Sequence, residues 1–164
     1  MTEGEAHLLV LLRELDDPEW LESPQHYDRV EAAAHFSVLA ARLESDFAAR
    51  CTAERDTQDS SEYGRVVVPG DATVRGTRIV VCVSKFGSLA LVCADNPGAF
   101  LGTDDAQTEG ELDGADLAKV NRALADLGYV VVAEELLESD YDGPSRLPWH
   151  VQRPSWWHRF FGTF

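Results

Sequence analysis

The chain has 164 residues, enough for one domain whose hydrophobic core needs neither disulfide nor metal. Hydrophobic residues make up 45% and charged residues 26%, which argues against disorder along the whole length. With 29 Asp and Glu against 14 Lys and Arg, the formal net charge of −15 opposes direct binding to nucleic acid and anionic membranes, and it attracts cationic partners.

Leu8, Leu9, Leu11, Leu12 and Leu15 have helical spacing and stop before Asp17-Pro18, a pair that ends helices, so the first element reads as a short helix with one apolar face. After a break at Glu22-Ser23-Pro24, the stretch HYDRVEAAAHFSVLAARLESDFAARC is rich in helix formers. Its Phe36, Ala40, Leu43 and Phe47 recur at intervals of four, three and four, which predicts a long amphipathic helix. The polar run TAERDTQDSSEYG separates these helices from β-type sequence. Arg65 to Val68 reads as a strand ending at Pro69-Gly70, and TRIVVCVSKFGSLALVCAD reads as two strands joined near Phe86-Gly87. Ile79, Val81 and Val83 point to one face and Val80 and Cys82 to the other. Both faces being apolar, this hairpin should be covered on both sides, by helices on one and by the C-terminal segment on the other.

The stretch GTDDAQTEGELDG reads as an acidic loop. It precedes a helix, ADLAKVNRALADLG, whose Leu117, Val120, Leu124 and Leu127 form one stripe and whose Gly128 suits a C-terminal cap. Tyr129 to Val132 reads as a further strand, and Glu134 to Leu137 as the start of a helical turn. The expected fold is α+β, with an antiparallel sheet of about four strands packed by two N-terminal helices and one later helix. It forms a single domain over 1–164, with a helical part at about 5–50 and a sheet-containing part at about 63–164. Residues 1–62 carry a net −10 and 99–142 another −10, whereas 63–98 carry +2 and 143–164 carry +3. Acid thus belongs to the helical and loop shell.

Cys51, Cys82 and Cys93 are odd in number and lack metal-ligand spacing, and they read as free thiols in a reducing compartment. The first residues have acids where a signal peptide needs bases and no run reaches transmembrane length, so the expected location is cytoplasmic. The chain shows no Walker loop, no GxGxxG after a strand, no GxSxG and no HExxH. Ser84 and Lys85 are adjacent strand residues that point to opposite faces, a poor arrangement for a nucleophile and its base. His7, His26, His35, His150 and His158 include no close helical pair for a metal. Glu138, Asp140, Asp142 and Gly143 resemble the start of a calcium loop, but Trp149 stands where the bidentate glutamate belongs. No catalytic residue, cofactor or metal is assigned.

The closing RPSWWHRFFGTF places Trp156, Trp157, Phe160, Phe161 and Phe164 at near-helical spacing, each ring able to bury on the order of 150–250 Å². These rings serve either as a plug for the chain's own core or as a contact with a partner or second copy; docking on the chain's own sheet or helices is the favoured reading.

VSKFGSLALVC, GYVVVAEELLESDYDG and WWHRFF together resemble a group of small bacterial proteins of the kind encoded beside polymorphic toxins as immunity proteins. The resemblance covers roughly the C-terminal 100 residues, through Ser84, Phe86, Gly87, Tyr141, Asp142, Trp156, Trp157, Arg159, Phe160 and Phe161. It implies inhibition by binding, without catalytic residues. The expected function is therefore an acidic cytoplasmic protein that occludes a basic toxin partner. Asp104, Asp105, Glu109, Glu111, Glu138, Asp140 and Asp142 are the candidate partner-binding acids. The alternatives are a small ligand-binding or enzymatic domain with a pocket beside the sheet, marked by Ser84, Tyr141 or His150, and a homo-oligomer joined through the tail.

Overall fold

The computed structural model describes residues 2–55, 59–148 and 151–163. Two N-terminal helices, α1 (Glu3–Leu15) and α2 (Arg29–Phe47), precede the strands β1 (Thr52–Glu54), β2 (Glu62–Val68), β3 (Ile79–Ser84) and β4 (Leu89–Ala94). Helices α3 (Thr103–Thr108) and α4 (Gly114–Asp126), strand β5 (Val130–Val131), and helices α5 (Glu134–Leu137) and α6 (Trp156–Phe161) follow.

Local chemistry sets the helix ends. Asp28 accepts hydrogen bonds from the Val30 and Glu31 amides at the start of α2, and Asp113 does the same for Ala115 and Asp116 at the start of α4. Gly128, in the left-handed region at φ 82°, follows α4 and turns the chain into β5.

The five strands form one sheet in the order β1-β2-β3-β4-β5. The first four are antiparallel neighbours, with Val81 opposite both Val66 and Val92. Every residue of β3 and β4 is buried, as the two apolar faces of the hairpin require. Phe36, Leu39, Leu43 and Phe47 of α2 and Val120, Ala123 and Leu124 of α4 cover the face that carries Val66, Ile79, Val81 and Val92. The other face, with Val80, Cys82, Leu91 and Cys93, is covered by Leu12 of α1, Leu136 and Leu137 of α5, and Trp156, Phe160 and Phe161 of α6.

The α+β expectation thus holds, with corrections in detail. The sheet is mixed, because β5 pairs parallel to β4 through Leu89–Val130 and Ala90–Val131. A chain that leaves β4 and returns through helices α3 and α4 arrives in the same direction, which a hairpin cannot do. Strand β1 lies in the run expected to be a polar connector; as an exposed edge strand it carries polar residues and shows no alternation to read. Helix α3 lies in the expected acidic loop and holds only Ala106 in the core, too little for an apolar period to register. Besides α4, the expected helical turn at Glu134–Leu137 forms α5 and the near-helical spacing of the tail forms α6, so four helices follow the hairpin among the described residues where the fold expectation counted one; the two N-terminal helices lie on opposite faces of the sheet.

Candidate functional site

Ser84, Phe86, Tyr141, Trp156, Arg159, Phe160 and Phe161, among the residues that carry the resemblance, meet in one knot on the α6 side of the sheet, whereas Gly87 and Asp142 are exposed. Trp156, Phe160 and Phe161 are buried, and Arg159 beside them is 0% exposed. Trp156 stands edge-on to Tyr141 with ring centroids 4.8 Å apart, and Phe86 stands edge-on to Phe160 at 5.5 Å. The Arg159 guanidinium lies 4.7 Å from the Phe86 ring centre and 5.0 Å from that of Phe160. Its Nε donates to Asp16 Oδ1 at 2.7 Å, and its two terminal nitrogens donate to the carbonyls of Asp17, Trp20 and Leu21 at 3.0–3.1 Å.

Asp16, buried with its partner, also accepts from Tyr141 Oη and Ser145 Oγ, each at 2.5 Å. A buried ion pair survives only when its remaining donors and acceptors are satisfied, and this network satisfies them. Ser84 Oγ donates to the Phe160 carbonyl at 2.7 Å and accepts from the Phe86 amide at 3.1 Å. Beyond α6, the Gly162 carbonyl accepts from the Ser61 amide at 2.9 Å. Trp157 is half-buried, and its indole nitrogen has no hydrogen-bond partner among the described residues.

Ser84 and Lys85 do not form a nucleophile and base: the serine hydroxyl is engaged with Phe160, while Lys85 Nζ lies 3.4 Å from Glu22 Oε1. Tyr141 belongs to the knot, and His150, Trp149 and Phe164 lie outside the described residues.

The candidate acids fall into two groups on opposite sides of the sheet. Asp104, Asp105, Glu109 and Glu111 lie on and just after α3, on the α2 and α4 side; Asp104 and Glu109 are exposed, Asp105 accepts from the Leu101 amide, and Glu111 accepts from the Thr77 hydroxyl. Glu138, Asp140 and Asp142 follow α5 on the other side. Asp142 pairs with Arg13 at 2.9 Å, which holds its carboxyl below the usual range, and Asp140 lies 3.7 Å from Arg153.

A cleft of about 250 Å³ opens beside the sheet, bounded by the start of α2, the turn between β3 and β4, and Tyr129. Tyr27, Asp28, Glu31, His35, Tyr63 and Tyr129 are among its walls. His35 stacks on Tyr129 with centroids 4.3 Å apart and planes 3° from parallel, and its Nε2 lies 2.6 Å from the Leu127 carbonyl oxygen. Tyr27, half-buried, has its phenol pushed up to about 12 by burial, and burial raises that of Tyr129 as well, so both remain neutral donors. Of the residues expected to mark a pocket beside the sheet, Ser84 lines this cleft and Tyr141 does not; the tyrosine, histidine and acidic walls come from segments separated by up to about a hundred residues, none of which carries a local motif.

Neither a protein-family model, nor a curated protein, nor a solved structure matches the chain. No helix of the described residues is long and apolar enough to cross a membrane.

Proposed function

We propose that the protein is an acidic binding protein of the immunity type, which inhibits a basic toxin partner by occluding its site. The observation that carries this reading is how the charges are distributed. Arg13, Arg42, Arg65, Arg78, Lys85, Arg153 and Arg159 each lie within 4 Å of a carboxylate of the same chain. Arg55 and Lys119 lie over the rings of Phe36 and Phe47. Much of the positive charge is therefore already engaged within the chain, and the surplus behind the net −15 faces outward as carboxylate. A field of that sign speeds encounter with a basic partner, and a few buried anchors then supply the lifetime of the complex.

The second reading, a ligand-binding or enzymatic domain, has the cleft beside the sheet in its favour. Ser84, which lines that cleft, has its hydroxyl engaged with the Phe160 carbonyl and is not placed as a nucleophile.

The test is affinity capture at low and moderate salt, followed by stopped-flow binding of the purified partner and an assay of the partner's own activity. The expected result is a stoichiometric basic protein whose association rate falls with salt and whose activity is blocked in the complex. A partner bound with no dependence on salt, or one left fully active, overturns the inhibitor reading.

A further inference from the structure

The cleft beside the sheet has a size, a sign and a wall chemistry that together point to one kind of occupant. At about 250 Å³ it lies below the roughly 300–1,000 Å³ of sites for drug-sized ligands, and it suits a single side chain. Asp28 and Glu31 contribute two carboxylates to its walls, and the one lysine there, Lys85, faces Glu22. An anion finds no seat at the start of α2, because Asp28 already places its own carboxylate on the Val30 and Glu31 amides at 3.0 Å. The sign of the site therefore favours a cation.

Its shape favours a flat one. Tyr27 and Tyr63 supply aromatic surface; Tyr129 also lines the cleft but is buried, with one ring face taken by the parallel stack of His35. Tyr63 is held in turn by an edge-on contact with Phe36, centroids 5.1 Å apart. A guanidinium stacks on such rings through its face and directs its N–H groups outward in its plane, toward carboxylate, phenol and hydroxyl oxygens. A lysine ammonium is a more strongly hydrated point charge and gains less from flat walls.

The knot around Arg159 contributes to this geometry from the other face of the sheet. By holding the carbonyls of Asp17, Trp20 and Leu21, it fixes the segment that leads into His26, Tyr27 and Asp28.

We propose that this cleft receives one arginine side chain of the basic partner, with the guanidinium against the Tyr27 and Tyr63 rings and paired to Glu31 and Asp28. The proposal rests on the inhibitor reading and names the anchor that such a partner would present.

The experiment is a titration of the full-length 15N-labelled protein at low salt with N-acetyl-arginine amide, with its neutral isostere N-acetyl-citrulline amide, and with free arginine. Saturable shifts for the acetylated arginine amide, confined to residues 26–35, 63, 83–88 and 129, support the proposal, as does binding of the citrulline compound at least about tenfold weaker. Glu31→Gln, on an exposed helix position, should weaken the arginine compound by about two- to fivefold while the thermal midpoint stays unchanged. Equal binding of the citrulline compound, shifts scattered over the acidic surface, or no saturation overturns it. Tighter binding of free arginine than of the capped amide assigns the site to a free amino acid and overturns the partner's side chain as occupant. Loss of this proposal alone shows as a basic partner that still binds with salt dependence but is indifferent to Glu31→Gln. Loss of the inhibitor reading shows in the capture and activity assays, which do not depend on this titration.

Discussion

Arg159 joins α6 to the connection between α1 and α2, and a lysine cannot replace it. A guanidinium reaches Asp16 and three carbonyls at once in a fixed fork, whereas an ammonium offers three donors from one point. Arg159→Ala should cost on the order of 3–5 kcal/mol, because it leaves the Asp16 carboxylate buried without its cationic partner. Arg159→Lys should recover only part of that, and Asp16→Ala combined with Arg159→Ala should cost much less than the two separately, all read from urea midpoints. An Arg159→Lys protein that unfolds at the wild-type midpoint would remove the fork from the account. Glu134 makes a prediction about pH. Burial raises its pKa, while hydrogen bonds from the Gly98 amide and the Cys93 thiol act in the opposite direction. The folded chain therefore holds this proton to higher pH than the unfolded chain does. Stability must then fall as pH rises from about 4.3, the ordinary glutamate value, through the raised folded one. Glu134→Gln keeps an acceptor for Gly98 and should flatten that part of the curve; identical slopes for the two proteins would contradict the assignment.

At the scale of elements, the β3–β4 turn couples the sheet to α1. Gly87 sits in the left-handed region at φ 58°, and a Cβ there would fall 2.5 Å from Leu15 Cδ1. Gly87→Ala should therefore cost about 2–3 kcal/mol, through backbone strain together with the clash. Gly76, at φ 78°, has nothing within 4 Å of such a Cβ, and Gly76→Ala should cost only the strain of about 1–2 kcal/mol. Adding Leu15→Ala should reduce the excess at Gly87 and leave Gly76 unaffected; additive losses in chemical denaturation would show that the turn and α1 are not in contact. Helices α1 and α6 are both short, and they persist because their apolar faces are buried against β3 and β4 rather than through helix propensity.

At the scale of the whole molecule, packing helices on both faces of one sheet decides which groups can react. Cys82 and Cys93 lie on the sheet face under α1, α5 and α6, where burial drives both thiols far above the usual range, and Cys51 is pushed up to about 11. Alkylation by iodoacetamide at pH 8 should be slow for all three in the native protein and complete within minutes in urea. Fast native labelling of Cys82 or Cys93 would mean that this face opens readily. The acidic groups follow the same layering: the α3 carboxylates and those after α5 lie on opposite sides of the sheet, so one partner surface of ordinary size need not meet both.

Composition and period by themselves determined the elements with long apolar patterns. The interval of Phe36, Ala40, Leu43 and Phe47 places α2, and the doubly apolar run from Ile79 to Ala94 places the hairpin under cover on both faces, because a 3.6-residue or two-residue period is a local property of the chain. The net charge of −15 set the sign of the chain's own field before a single contact was known. Only the tertiary structure decided that β5 runs parallel to β4, that the α3 stretch is helical, and that Arg159 is a buried tie rather than a surface charge. Asp16 and Arg159 lie 143 residues apart and Tyr27 and Tyr129 about a hundred, so neither the knot nor the cleft has a spacing that a sequence can display. Their geometry exists only once two layers of helices close over the sheet and bring distant side chains within hydrogen-bonding or ring-contact distance.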